Sequence, residues 1–304
     1  MSFEKIRRLR GIPQEEGKPQ ILDFDFTSVK NPGISIIIPC GGNDPARERN
    51  FKYCLRCIKD QTYTSYEVIV IEQSLDGSFY KQWCEDFGIS WRGIKDPLDR
   101  GFNLSWCRNV GSKIAKGEQI VLLDSDMCFD ADYFKEISKN KSDFAGGATT
   151  YHWIREERVT RIYEKNKDFA GVYSFGAGRH IDPVHRFKPF IEGNGYGAVL
   201  VFNRKWYWEF FGGYPEDFFK YGWEDKAAVE VIKYALGVPD DSAIPLIDYN
   251  VIHLSHSNKD YNNMKSNEDL YNYIKTCDKK DWIDMAKSVK LGNLDSPTTL
   301  INLR

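Results

Sequence analysis

Apolar runs and segments with helical spacing alternate along the first half of the chain. The apolar runs span residues 34–39, 67–71, 89–93 and 120–123, and amphipathic segments over 47–61, 79–87 and 101–116 separate them. A short apolar run without alternation indicates a strand that is buried on both faces. Strands that alternate with helices form a parallel sheet with right-handed crossovers. The sequence therefore predicts an α/β fold with a mostly parallel central sheet flanked by helices.

Turn-forming residues mark the expected ends of these elements. Pro39 is expected to end the first strand, and Asn43 and Asp44 are candidate N-caps of the helix that follows. Gly117 is expected to be the C-cap of the helix that ends at Lys116.

The pattern changes after residue 127. A helix is expected over residues 130–140, with Phe134 and Ile137 facing the core, and short alternating segments rich in Gly, Tyr and Phe follow between residues 143 and 202. Such segments indicate a small antiparallel sheet with long loops. Further apolar and helical segments are expected over residues 198–202, 226–236 and 251–256.

The chain is expected to form one main domain with two extensions. Polar, weakly periodic residues precede it, and a polar segment that is at first helical follows it, with docking residues Tyr271, Ile274 and Trp282. No internal repeat or low-complexity segment divides the chain. The predicted organisation is an N-terminal arm over residues 1–32, a main domain over 33–258, and a C-terminal helical extension over 259–304 packed on that domain.

Composition narrows the class of protein. The chain has 304 residues, of which 41% are hydrophobic, and a net charge of −2, so no strong field attracts it to nucleic acid or to an anionic membrane. It has no apolar run near 18 residues and no apolar secretory segment at its start, so no transmembrane segment is expected. Seven cysteines, an odd number, fit a reducing cytoplasm, and Cys54 and Cys57 fit the buried face of a helix better than a metal site.

The strongest candidate for chemistry is Asp124-Ser-Asp126, directly after the apolar run 120–123. In open α/β sheets, ligands bind at the carboxyl ends of the strands. Carboxylate oxygens at such an end suit a divalent cation that keeps positions free for phosphate oxygens. The alternative is a polar turn that only ends a strand.

Three further polar clusters follow strands or loops. They are Glu72, the pair Glu224 and Asp225, and the pair His253 and His256. Each cluster has an alternative without a functional role. Glu72 could be a solvated strand end, Glu224 and Asp225 could be acids favoured in the first turn of a helix, and the two histidines could be ordinary surface or core residues. Together with the Asp pair they supply a cation site for a diphosphate and a separate carboxylate, Asp225 or Glu224, as a base. This is the equipment of a metal-dependent, inverting sugar transfer from a nucleoside diphosphate.

These motifs resemble GT-A fold glycosyltransferases of the family 2 type. The matching stretches are IIIPC, EVIVIEQ, GFN with RNVG, DSD, GWED and a late HxxH, and the resemblance covers roughly residues 34–257. The second half resembles the β-1,4-galactosyltransferase and chondroitin synthase branch. The resemblance implies a GT-A fold, Rossmann-like, with its small antiparallel sheet on the acceptor side.

The resemblance also assigns roles to residues. It implies that Asp225 is the catalytic base and that Glu224 orients the sugar or the acceptor. The nucleotide-sugar contacts would be Pro39, Arg47, Glu72, Phe102, Asn103, Arg108, Asp124 and Ser125. The platform for a sugar would be Trp223, Gly195 and Tyr196. The metal ligands would be Asp126 and His256, helped by Asp124 or His253.

The expected activity is a hexosyl or N-acetylhexosaminyl transfer with Mn²⁺ or Mg²⁺ as cofactor. The expected donor is a UDP-sugar, the acceptor is a glycan or glycoconjugate hydroxyl in polysaccharide biosynthesis, and the location is the cytoplasm, where the acceptor could hold the protein at a membrane. Three alternatives stay open: a sugar nucleotidyltransferase, a non-catalytic carbohydrate-binding relative, and a transferase acting on a nucleic-acid base. The acidic balance disfavours the last of these. The sequence leaves the donor sugar, the acceptor and the oligomeric state open.

Overall fold

The computed structural model of the chain describes residues 22–24, 29–42, 44–74, 79–154, 185–187, 197–256, 263–289 and 291–300. The strands in these ranges are β1 (Leu22–Phe24), β2 (Ile34–Gly41), β3 (Tyr66–Gln73), β4 (Ser90–Ile94), β5 (Gln119–Leu123), β6 (Met127–Cys128), β7 (Phe144–Gly146), β8 (Thr150–Ile154), β9 (His185–Phe187), β10 (Val199–Asn203) and β11 (Asn250–Leu254). None of the helices in these ranges combines the length and the apolar character needed to cross a bilayer.

Most helices follow the predicted segments with shifts of a few residues at their ends, but the helical residues 204–211 were not predicted. They are α1 (Pro45–Lys59), α2 (Lys81–Phe87), α3 (Leu104–Ile114), α4 (Tyr133–Lys139), α5 (Arg204–Trp206), which continues into a π-helical turn (Tyr207–Phe211), α6 (Glu224–Leu236), α7 (Met264–Thr276) and α8 (Lys279–Ser288). Asp44 caps α1, as expected, by accepting the Ala46 N–H at 2.9 Å. Asn43 lies outside the described residues.

The central sheet has seven strands in the order β1-β4-β3-β2-β5-β10-β7. Its middle pairings, β4 with β3, β3 with β2 and β2 with β5, are parallel, and the outer pairings are antiparallel. The predicted α/β architecture with a mostly parallel sheet is confirmed. A second, small sheet has the order β6-β11-β8-β9, and because β8 and β11 are parallel it is mixed rather than purely antiparallel.

The core lies on both faces of the central sheet, which explains the continuous apolar runs. Along β2, Ile36 and Ile38 join one apolar cluster with α1, while Ile37 joins the cluster on the opposite face with α3, α6, α7 and α8. A strand buried on both faces has no solvated positions, so apolar residues do not alternate with polar ones. Cys54 and Cys57 are buried free thiols in the first cluster, as expected.

Two of the predicted boundaries are wrong. Pro39 does not end β2, because pairing with β3 continues to Gly41; pairing with β5 stops at Ile37, so Pro39 lies where β2 has one partner strand, where a missing N–H is tolerated. The C-cap of α3 is Ala115 and not Gly117. The Gly117 N–H instead donates to Ser35 Oγ at 2.7 Å, and a Cβ at Gly117 would meet the backbone of β2.

Both predicted extensions contain segments that contact the main domain. Residues 22–24 of the arm form β1, which pairs with β4 at the edge of the central sheet. Ile274 and Trp282, from α7 and α8, are buried in the same cluster as α3 and α6, and Tyr271 packs against it. The three-part division itself remains a prediction.

The segment 291–300 is held by two fully buried carboxylates. Glu216 accepts the N–H groups of Gly292 and Thr298, both at 2.6 Å, and the amide of Asn109 at 2.8 Å. Asp217 accepts the Leu300 N–H at 3.1 Å. The segment thus supplies hydrogen-bond donors to the buried carboxylates of residues 216 and 217, and Glu216 is also bound to Asn109 of α3.

We expect Glu216→Ala to lower the free energy of unfolding by about 2–6 kcal/mol, since an unpaired buried donor costs about 1–3 kcal/mol and two backbone donors lose their acceptor. Urea denaturation would measure the change. Asp295→Ala, an exposed side chain in the same segment, is the control and should stay within about 0.5 kcal/mol of wild type. Equal stability of the two variants would contradict this account of Glu216.

Candidate active site

The Asp124-Ser-Asp126 turn lies at the carboxyl end of β5 and is held by backbone bonds from two directions. The Asp124 N–H donates to the Ala198 carbonyl at 2.9 Å, before β10, and the Leu254 N–H of β11 donates to the Asp126 carbonyl at 2.9 Å. The turn therefore lies where the two sheets meet, and its two carboxylates contact different partners. Ser125, between them, is partly exposed.

Asp126 contacts both predicted histidine ligands. His253 Nε2 is 3.4 Å from Oδ1, and His256 Nε2 is 3.1 Å from Oδ2. The antiparallel pairing of β6 with β11, which sets His253 opposite Met127, brings these residues together across more than a hundred positions. Burial alone would raise the pKa of Asp126, but the two histidines and Arg47 outweigh it and lower that pKa to about 2.

The donor set of this cluster fits a divalent cation. One carboxylate and two imidazoles suit Mn²⁺ and related metals, and Asp126 Oδ1 is buried with no hydrogen-bond partner among the described residues. Two ligand atoms about 2.1 Å from one cation at right angles are about 3 Å apart, close to the separations observed. In the described ranges, however, no group of three or more His, Cys, Asp or Glu has the geometry of a metal centre as the side chains stand. The imidazoles contact the carboxylate itself.

Asp124 belongs to a second cluster, organised by Arg108 of α3. The guanidinium is fully buried, and its Nη2 donates to Asp124 at 3.0 Å and to the Gly197 carbonyl at 2.7 Å. Its Nη1 donates to Asp225 at 2.5 Å. Burial raises the pKa of Asp124, Arg108 lowers it, and the charges of Asp126 and Asp225 raise it again, so the net pKa lies above its ordinary value.

Gly197 provides the space that Asp225 occupies. A Cβ at Gly197 would overlap the Asp225 carboxylate, which supplies the three nearest side-chain atoms among the described residues. The sequence alone suggests no role for Gly197, which is the third glycine of residues 193–197, GNGYG. Its two neighbours in that stretch, Gly195 and Tyr196, lie outside the described residues.

The loop before α6 is strained at the position of the predicted motif. Lys220 and Trp223 have positive φ values of 63° and 75°, and backbone strain of this kind is found at functional sites. Gly222, between them, has a φ of 106°, which glycine adopts without strain. Glu224 begins α6 and is buried, with no hydrogen-bond partner for Oε2 among the described residues. Burial and the charge of Asp225 raise the pKa of Glu224 to about 7.

The partly exposed Trp223 ring contacts two side chains. It stacks on Tyr271 of α7 with ring centroids 5.1 Å apart, and the Lys226 ammonium lies 4.6 Å from the Trp223 ring centroid. A sugar that stacked on the ring face next to Lys226 would have to displace this half-buried side chain. The platform role stays a prediction.

Phe102 and Asn103 are fixed by the ends of β2 and β3. A Cβ at Gly41 would overlap the Phe102 ring, so the missing side chain makes room for it. Asn103 is fully buried; it caps α3 through the Trp106 N–H at 2.8 Å, and its own N–H donates to Gln73 Oε1 at 2.7 Å. Asn103 thus positions the start of α3. The predicted contact of Asn103 with the nucleotide remains a prediction.

Glu72 also has a full set of partners. It is completely buried and accepts the N–H groups of Phe79 and Tyr80 at 2.7 and 3.2 Å and the Trp91 indole at 2.8 Å. Arg47, in contrast, is partly exposed in the first turn of α1. Pro39 is buried in β2. The predicted nucleotide contacts of these residues remain predictions.

Comparison with known proteins decides the family. The sequence model described as glycosyl transferase family 2 matches residues 35–211, more than half of the chain. The chain belongs to glycosyl transferase family 2. Over 155 residues it is 24% identical to the glycosyltransferase GlyA of Streptococcus pneumoniae. The aligned region covers 46% of this chain and 21% of that protein. The chain therefore spans about a fifth of the length of that relative.

A solved structure of TarS has the same fold as this family 2 member. Residues 1–349 of S. aureus TarS, solved with UDP-GlcNAc, align with a TM-score of 0.52 and 12% identity over 84% of this chain and 70% of that one. The mannosyltransferase PcManGT of Pyrobaculum calidifontis, solved with GDP-Man and Mn²⁺, aligns with a TM-score of 0.47 and 17% identity, over 94% and 75%. The TarS likeness supports the GT-A fold.

Proposed function

We propose that this family 2 glycosyltransferase transfers a hexosyl or N-acetylhexosaminyl group from a UDP-sugar to a glycan hydroxyl, with inversion and with a bound Mn²⁺ or Mg²⁺. The observation that carries the proposal is the pairing of two clusters at one end of β5. Asp126 lies with His253 and His256, and two residues away Asp124 is linked through Arg108 to Asp225. Side chains that suit a divalent cation thus lie next to a carboxylate, Asp225, that Arg108 holds in place.

The donor side is supported by the chemistry of the Asp126 cluster. Asp126, His253 and His256 would hold the cation, which when bound neutralises the charge of a diphosphate leaving group. Arg47 is partly exposed and its positive charge acts on Asp126, so it is suited to a phosphate contact. Phe102, next to Gly41, offers an apolar surface on the same side of the sheet.

The acceptor side is supported by Asp225 and Glu224. In an inverting transfer the acceptor oxygen forms a bond to the anomeric carbon as the bond to the diphosphate breaks, and the hydroxyl proton passes to a base. Arg108 holds Oδ1 of Asp225, and Oδ2 has no hydrogen bond among the described residues, so Oδ2 is the proposed proton acceptor. Glu224, adjacent and buried, would orient a sugar hydroxyl.

Finer assignments rest on motifs alone. GWED, residues 222–225, and the spacing of His253 and His256 support membership of the β-1,4-galactosyltransferase and chondroitin synthase branch. The same branch supports a glycan or glycoconjugate acceptor in polysaccharide biosynthesis. The proposed main domain over residues 33–258 and the proposed cytoplasmic location rest instead on the pattern of apolar segments and on the odd number of cysteines. The net charge of −2 disfavours a nucleic-acid acceptor.

A panel of nucleotide sugars, each tested with and without Mn²⁺ by thermal shift and then for donor hydrolysis, would test the proposal. Ligands that bind only the folded state raise the melting temperature by mass action. We expect a shift with one nucleotide diphosphate that depends on the cation, and slow hydrolysis of the same donor. Absence of any shift and of any turnover, with cation present, would contradict the proposal and favour a non-catalytic carbohydrate-binding protein.

A further inference from the structure

The Arg108 side chain has no exposed surface and donates hydrogen bonds to three acceptor groups. Its guanidinium contacts a carboxylate of the Asp124 turn, a carboxylate at the start of α6, and the carbonyl of Gly197, while its plane lies 4.9 Å from the Tyr214 ring centroid. A buried charge of this kind persists only when its hydrogen bonds are closely matched. The planar fork of arginine donates from two separate nitrogens in fixed directions, whereas a lysine ammonium donates from a single nitrogen.

The sequence resemblance implies that Arg108 faces the phosphates of the donor, but its surroundings favour another role. Both terminal nitrogens already donate to groups of the protein, and the side chain is fully enclosed. A phosphate contact with either terminal nitrogen would require these bonds to break, and Nε, which has no hydrogen-bond partner among the described residues, is buried. The bonds instead join residues 16 and 117 positions away along the chain.

We propose that Arg108 is a positioning residue that sets the location of the base Asp225 relative to the donor-side turn. Arg108 fixes Oδ1 of Asp225, and Gly197 leaves room for the rest of the carboxylate by having no Cβ. The same guanidinium holds Asp124, two residues from Asp126, so the base and the donor side share one support. This inference rests on the proposed function.

Two variants test the inference from independent directions. Arg108→Lys keeps the positive charge but loses the fork, and Gly197→Ala keeps Arg108 but places a methyl group where Asp225 lies. The atoms that this methyl group would meet belong to the Asp225 side chain, and Gly197 does not have a positive φ, so the backbone tolerates alanine. Arg204→Lys is the matched control, because Arg204 Nε donates at 2.8 Å to the Gly117 carbonyl and, among the described residues, Arg204 has no hydrogen bond or ion pair with the Arg108 cluster.

Both test variants are expected to lower kcat by about 100-fold, the effect of misplacing a catalytic group by about 1 Å. The donor Kd, measured by calorimetry with Mn²⁺, should change by less than threefold, and the control should match wild type. In Arg108→Ala, added guanidinium should restore part of kcat, a response that a residue needed only for folding would not give.

Three outcomes would overturn the inference. They are a kcat of Arg108→Lys or Gly197→Ala within threefold of wild type, a loss of Arg108→Lys confined to the donor Kd, and no rescue of folded Arg108→Ala by guanidinium. The second outcome would indicate that Arg108 contacts the phosphates of the donor. Wild-type protein without turnover would instead contradict the proposed function, so the two failures are distinguishable.

Discussion

Asp225→Asn is expected to reduce turnover by about 10²–10⁴-fold while leaving donor binding within a few-fold of wild type. Asparagine has nearly the shape of aspartate and its amide oxygen still accepts from Arg108, so the bond at 2.5 Å has a replacement. The amide cannot take a proton from an acceptor hydroxyl, and a positioned base contributes a factor of this size. Initial rates at saturating donor, together with calorimetric donor titration, would separate the two effects.

Glu224→Gln is the matched comparison for Asp225→Asn, because Glu224 is the neighbouring carboxylate and the alternative base. If Asp225 is the base, Glu224→Gln should change kcat less than Asp225→Asn does and should act through the KM of the acceptor. The reverse order of the two variants would assign the base to Glu224, whose pKa of about 7 suits that role. Asp284→Asn, an exposed residue of α8, should be without effect.

Asp126→Asn is expected to lower the Mn²⁺ affinity at least about 100-fold and to abolish the cation-dependent effect of the donor on melting temperature. Loss of a residue that only orients a metal ligand already costs about 10–100-fold in affinity, and Asp126 is a carboxylate in contact with both histidines. Electron paramagnetic resonance of free Mn²⁺ would measure the affinity without any need for turnover.

Asp124→Asn serves as the control for Asp126→Asn within the same turn. Asp124 is bound to Arg108 at 3.0 Å and is no part of the histidine cluster, so we expect the Mn²⁺ affinity of this variant to fall less than tenfold. Equal losses in the two variants would make Asp124 a cation ligand as well, and an unchanged affinity in Asp126→Asn would remove the cation site from this cluster.

Much of the architecture follows from local sequence. The apolar runs at 34–39, 67–71 and 120–123 predict buried strands, because a strand covered on both faces is apolar along most of its length. The position of Asp126 at a strand end, and of Glu224 and Asp225 at a helix start, follows from the same patterns. These predictions hold because strands, helices and their caps depend on residues that are neighbours in the chain.

The partners of the site residues depend on the tertiary structure. Nothing in the sequence around Arg108 indicates that it is enclosed between Asp124 and Asp225, because burial of a charge depends on acceptors that long-range packing supplies. The parallel pairing of β8 with β11 is likewise invisible in short alternating segments, which are compatible with either direction. Gly197 illustrates the same limit: the glycine is plain in the sequence, but the carboxylate that requires it is 28 residues further along the chain and meets it only in the fold.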